Sequence, residues 1–202
     1  MFTLDLTKNS EESSFIYIPD VLTETGLSEM NSFLDKTPFI TGFSFNGSQI
    51  RRKQIWFQEN EEYFCEKWKG RFARWTGHKY PPQLYKIQEN LKKHVEEVIN
   101  GPFNPNSCLI NKYENGSDVI GAHRDSLDSF GMYPVIANLS FGAPRILRVK
   151  DPETKEIMLD ISLESNSLFI MSGASQKYYT HEITGDTEVK NFRHSLTFRE
   201  KI

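Results

Sequence analysis

The chain has 202 residues, 38% of them hydrophobic and 13% aromatic, with charges of both signs summing to −3. That composition fits one folded domain with a buried core and excludes a disordered chain, while the net charge argues against indiscriminate nucleic-acid binding. No apolar run approaches the roughly 20 residues a membrane helix needs, and Cys65 and Cys108 are too few for a disulfide framework and lie outside paired zinc spacings.

The opening Met1-Phe2-Thr3-Leu4-Asp5 lacks the basic start of a signal peptide. The expected location is intracellular, in nucleus or cytoplasm, with no membrane association and no obligate protein partner. Any disorder is expected in the polar stretch 7–13. Residues 14–18 are β-prone, and 25–36 predict a short helix with Leu27, Met30 and Leu34 at helical spacing. Asn46-Gly47 is a hairpin-turn signal, and the adjacent Phe43 and Phe45 sit where a hairpin tip would wedge into a base stack.

From Gly47 to Lys93 the balance turns basic, with eleven lysines and arginines against five glutamates, and the same stretch carries Trp56, Trp68 and Trp75. Basic residues interleaved with aromatics suit a strand of phosphates and stackable bases. A solvated basic face over core aromatics reads equally well. After Pro81-Pro82, the residues Leu84, Ile87, Leu91, Val95 and Val98 form one apolar stripe, with Lys86, Lys92, Lys93 and Glu97 outside it. Beyond Gly101 come short β-rich runs at 107–113, 135–141, 145–149, 157–161, 167–171 and 194–198, with a turn at 151–154. The expected fold is mainly β with supporting helices: a double-stranded β-helix, or jelly roll, with an N-terminal helical extension.

His123 and Asp125 are two apart, so on a strand they share a face, and His181 follows an apolar run that returns it to a barrel mouth. Two imidazoles and one carboxylate are the facial triad that holds Fe(II) with positions left open. Arg193 and Arg199 share a strand face with Ser195 and Thr197, and inward arginines need anionic partners. A dicarboxylic acid supplies one, which favours Arg193 as the clamp on the far carboxylate of 2-oxoglutarate. Asn111 and Tyr113 offer an amide and a phenol to the same acid.

In this order, Asn111-Lys-Tyr113-Glu-Asn-Gly116, Ile120-Gly-Ala-His123-Arg-Asp125, Pro134 to Gly142 with Arg145, His181 and Arg193-His-Ser-Leu-Thr-Phe-Arg199 resemble the AlkB family of Fe(II)/2-oxoglutarate dioxygenases. The resemblance is strong from about Cys108 onward. It implies a single domain over 1–202, with a jelly-roll core at about 107–202 and a nucleotide-recognition lid at about 40–80. It also implies iron on His123, Asp125 and His181, and 2-oxoglutarate on Arg193 supported by Asn111, Tyr113 and Arg199. The implied activity is oxidative demethylation of 1-methyladenine or 3-methylcytosine in DNA or RNA, consuming dioxygen and releasing formaldehyde, succinate and carbon dioxide. Arg52 and Lys53 look like lid residues, and Trp75, with Tyr80 in reserve, matches the aromatic that stacks on a flipped base. One departure stands out: where repair members carry an acid four residues after the first iron histidine, this chain has Leu127, leaving Asp128 as the substitute. The alternatives are an oxygenase acting on a protein side chain or a regulatory modified RNA, and an inactive nucleic-acid-binding jelly roll.

Overall fold

The computed structural model describes residues 1–44 and 46–202. Strands β1 (Phe2–Lys8) and β2 (Glu11–Ile18) precede helix α1 (Glu24–Lys36), and β3 (Ile40–Phe43) and β4 (Gln49–Gln58) follow it. Two 3₁₀ turns, Glu66–Trp68 and Ala73–Trp75, lead to α2 (Pro82–Ile99). The chain continues through β5 (Ser107–Tyr113), β6 (Ile120–His123), the single turn α3 (Leu127–Phe130), β7 (Ile136–Gly142) and β8 (Arg145–Lys150). It ends with β9 (Ile157–Leu163), β10 (Ser167–Gly173), α4 (Ser175–Tyr178), β11 (Thr180–Ile183) and β12 (Arg193–Arg199).

Two antiparallel sheets result, one in the order β1-β2-β10-β7-β12-β5-β4-β3 and one in the order β6-β11-β8-β9. This is the expected jelly roll, widened at both ends of its larger sheet. The N-terminal half is less helical than expected, because β1–β2 and β3–β4 extend that sheet. The stretch 7–13 is ordered: Asn9 and Ser10 turn the β1–β2 hairpin at φ 53° and 63°, and β2 then pairs with β10 from Ile18 to Ser13. Its polar composition reflects a turn and an outer strand, not an absence of structure.

Alternation along the central strands divides the core. Ile110 on β5, Leu139 on β7, and Leu196 and Phe198 on β12 face α1 and α2, where Met30, Leu34, Leu84, Ile87, Leu91 and Val95 meet them. α1 is capped by Thr23, whose Oγ1 accepts from Gly26 N at 3.2 Å, and α2 starts on Pro82 and ends on Asn100 at φ 49°. Each fully buried Leu or Ile of α2 contributes about 1.5–3 kcal/mol of burial, so Leu91→Ala alone would cost about 2–5 kcal/mol. The other face of the same strands carries Asn111, Asn138, Ser140, Ser195 and Thr197, bounded by Arg193 and Arg199 at the ends of β12. A polar sheet face lined this way is unsuited to packing and suited to a ligand. Both cysteines are buried.

Candidate metal and co-substrate site

β6 and β11 place His123 opposite His181 in register, with ring centroids 4.3 Å apart. Asp125 lies two residues beyond the end of β6, so strand alternation does not place it; Arg199 and Gln176 do. Its backbone N–H donates to Gln176 Oε1 at 3.0 Å, which fixes the loop from α4. Ligand atoms of His123, Asp125 and His181 all lie within 4.8 Å of one another.

The protonation states suit a cation. Burial pushes both imidazoles toward the neutral form, His181 to about 3 with His123 adding to the effect. His123 Nδ1 lies 2.9 Å from the Gly121 carbonyl oxygen, so Nδ1–H donates there and Nε2 keeps its lone pair. Burial alone would raise the Asp125 carboxyl, but the charged Arg199 bonded to it outweighs that and holds the group below its ordinary value. Two neutral imidazoles and one carboxylate form the donor set of an Fe(II) facial triad.

These residues line a cavity of about 690 Å³. Its floor is the polar sheet face. Arg193 donates through Nη2 to Ser140 Oγ at 3.0 Å, while its Nε and Nη1 are buried with no hydrogen-bond partner. Burial pushes its guanidinium down to about 10, which leaves it charged near neutral pH. Its Cζ lies 5.3 Å from the centroid of the Tyr113 ring. Arg199 donates through Nε to Asp125 Oδ2, and its Nη1 is also unpartnered, as is Asn138 Oδ1. Orphaned buried donors on two guanidinium groups fit a dicarboxylate that would satisfy them. Asn111 accepts from Arg52 Nε at 3.1 Å, which orients the amide.

The expected substrate contacts separate into those on the cavity wall and those away from it. Trp75, 9% exposed, packs against Phe64 with centroids 4.2 Å apart and reaches the wall, as do Arg52 and Asp128. Tyr80 does not: it is 3% exposed in the main core and its hydroxyl donates to Gln88 Oε1 at 2.5 Å, so its ring is unavailable for stacking. Lys53 is turned outward and pairs with Glu114 at 3.0 Å. Phe43 is 54% exposed at the end of β3. Phe45 lies outside the described residues. Sequence reasoning missed Trp68 and Phe64 on the wall, Ser140 beneath Arg193, and Gln176. For Trp68 and Phe64 the basic-aromatic segment was the available signal; Ser140 and Gln176 had none.

Residues 14–199 match the 2OG-Fe(II) oxygenase superfamily, and the chain belongs to that family. The family name carries Fe(II) and 2-oxoglutarate with it, and the triad and the two arginines fit both. Within the family its curated relatives include AlkB homologues. Over 126 residues, 58% of this chain, it is 34% identical to alpha-ketoglutarate-dependent dioxygenase alkB homolog 3 from Homo sapiens, of which that segment is 43%. Over 127 residues, 59% of this chain, it is 32% identical to DNA oxidative demethylase ALKBH2 from Homo sapiens, of which that segment is 48%. The chain therefore matches less than half the length of either relative. The solved structure of OsALKBH1 shares the fold, with a TM-score of 0.67 over 92% of this chain and 97% of that one at 15% identity. No helix among the described residues is long and apolar enough to cross a membrane.

Proposed function

We propose that this chain is an Fe(II)- and 2-oxoglutarate-dependent dioxygenase that removes N-methyl groups from alkylated bases in DNA or RNA. Iron would be held by His123, Asp125 and His181. The co-substrate would be held by Arg193 at its far carboxylate, with Asn111, Tyr113 and Arg199 in support. The bound pair supplies oxidising power: one atom of dioxygen ends in succinate as 2-oxoglutarate loses carbon dioxide, and the other converts N–CH₃ to N–CH₂OH, which breaks its C–N bond to give formaldehyde and the restored base.

The protein's own residues prepare that chemistry. Arg199 keeps Asp125 ionised and oriented, Gln176 fixes its backbone, and the Gly121 carbonyl sets the tautomer of His123. A base must leave its stack to reach the floor of this cavity, and Phe64, Trp68 and Trp75 supply apolar and aromatic surface for it. On this reading, residues 40–80 act as the lid and Phe43 stands ready as a wedge. The observation that carries the proposal is the triad in a cavity with an aromatic wall, lined by Arg199 with one orphaned donor, while Arg193 at the other end of the same strand buries two more.

Formaldehyde release from methylated DNA and RNA oligonucleotides, with wild type and Asp125→Ala in parallel, tests it. Release by wild type alone is expected. Full retention of every lesion in the presence of iron and 2-oxoglutarate would overturn it.

A further inference from the structure

The charges on the cavity wall do not suit a cationic base. Among the described residues the lining holds two acids, Asp125 and Asp128. Asp125 belongs to the triad and is bonded to Arg199. Asp128 accepts from Lys67 Nζ at 2.7 Å, an ion pair that joins α3 to the first 3₁₀ turn. Asp125 is committed to the triad, and the charge of Asp128 is balanced by Lys67 in a pair whose side chains are both more than half exposed. Leu127, 43% exposed, presents an isobutyl group on the wall between them.

The cations are the reverse case. Arg52 donates to the Asn111 amide oxygen at 3.1 Å and the Val119 carbonyl at 3.2 Å, and Arg124 reaches the Tyr178 carbonyl at 3.4 Å. All three acceptors are neutral, so two guanidinium charges remain on the wall with no carboxylate in contact. A divalent metal and a dianionic co-substrate cancel each other and leave that excess in place.

Resting on the demethylation reading above, we infer that this cavity selects uncharged N-methylated bases whose methylated nitrogen is flanked by carbonyl oxygen, of the 3-methylthymine and 1-methylguanine type, over the cationic 3-methylcytosine and 1-methyladenine type. Carbonyl oxygens accept from guanidinium N–H groups, whereas a cationic base brings a like charge to a wall whose two carboxylates are already balanced by Arg199 and Lys67. Selectivity here is built by repulsion and unmet hydrogen bonds as much as by attraction. The aromatic faces of Phe64, Trp68 and Trp75 accept either type.

The test compares kcat/KM for four single-stranded oligonucleotides of one sequence, carrying 3-methylthymine, 3-methylcytosine, 1-methylguanine or 1-methyladenine, by mass spectrometry of the restored strand. The metal-free protein is titrated with the same strands by fluorescence anisotropy. Within each pair of equal ring size the neutral lesion is expected to lead by at least tenfold in kcat/KM and to bind more tightly. Leu127→Glu, which adds a carboxylate to the wall, and Lys67→Ala, which releases Asp128, are expected to move both ratios toward the cationic lesions. Wild-type preference for the cationic member, or ratios unmoved by both variants, would overturn the inference while leaving demethylation intact. Processing of none of the four would overturn the demethylation reading and this inference with it.

Discussion

Arg199 donates through Nε to Asp125 Oδ2 at 2.5 Å, with both side chains only 5% exposed, across 74 residues of sequence. The last strand of the chain thus holds the carboxylate of the triad. Removing one partner of a buried pair strands the other's charge, at about 3–5 kcal/mol. Arg199→Met is therefore expected to lower the melting temperature of the metal-free protein, and a divalent metal such as Mn(II) to restore part of the loss by pairing Asp125. Calorimetry with and without metal measures both. Equal melting temperatures for variant and wild type would show the pair to be dispensable.

Arg193 stands in the opposite position. Two of its three nitrogens have no partner, so the folded protein gains little from this charge. Arg193→Met should leave the metal-free protein as stable as wild type or more so, while weakening 2-oxoglutarate binding at least a hundredfold through loss of a charge-assisted bidentate contact. Isothermal titration of 2-oxoglutarate into the Mn(II)-loaded protein reads the affinity. Unchanged binding would remove Arg193 from the co-substrate site.

Gln176 acts through Asp125. Its Oε1 takes the Asp125 N–H, and its Nε2 lies 3.4 Å from Ser175 Oγ and 3.5 Å from Met171 Sδ, all of it buried. Gln176→Ala orphans the backbone donor, costing about 1–3 kcal/mol, and loosens a ligand loop, which is expected to weaken Mn(II) binding by about tenfold or more. Titration of the metal alone, beside a melting curve, distinguishes the two effects. A destabilised variant with wild-type metal affinity would assign Gln176 to the fold alone.

The triad and the inward arginines were legible because strand periodicity and ligand type are local properties, and the helix stripes were legible for the same reason. What stayed hidden depended on partners far off in sequence. The 7–13 stretch is polar enough to read as disorder, yet it is the turn of the β1–β2 hairpin, which β10 anchors from Ser13 onward. The bond from Arg199 to Asp125 stayed hidden because nothing near either residue in sequence points to the other. Trp75 and Tyr80 looked alike as aromatics in a basic segment; the 3₁₀ turn carries one to the cavity, and the approach to α2 buries the other against Gln88. Leu127 was visible as a departure, but its meaning depended on Lys67 engaging Asp128.

His194 faces away from the site, 3% exposed, stacked on Phe39 with centroids 5.4 Å apart and with both ring nitrogens unpartnered. Burial, reinforced by Lys112 and Arg193 and opposed by Asp35 and Glu114, pushes its imidazole down to about 4. In the unfolded chain the same group titrates near pH 6.5. Between these values the unfolded state binds a proton that the folded state refuses, so stability falls as pH drops from about 6.5 to about 4 and is fully present above that window. The stability lost across that window is on the order of 3 kcal/mol. His194→Leu keeps the apolar packing and removes the titration, so its urea-unfolding free energy should depend less on pH than that of wild type. Measurements at pH 5 and pH 7.5 on both proteins isolate the difference, because every other titrating group is shared. Parallel pH dependences would show that His194 is protonated in the fold as readily as outside it.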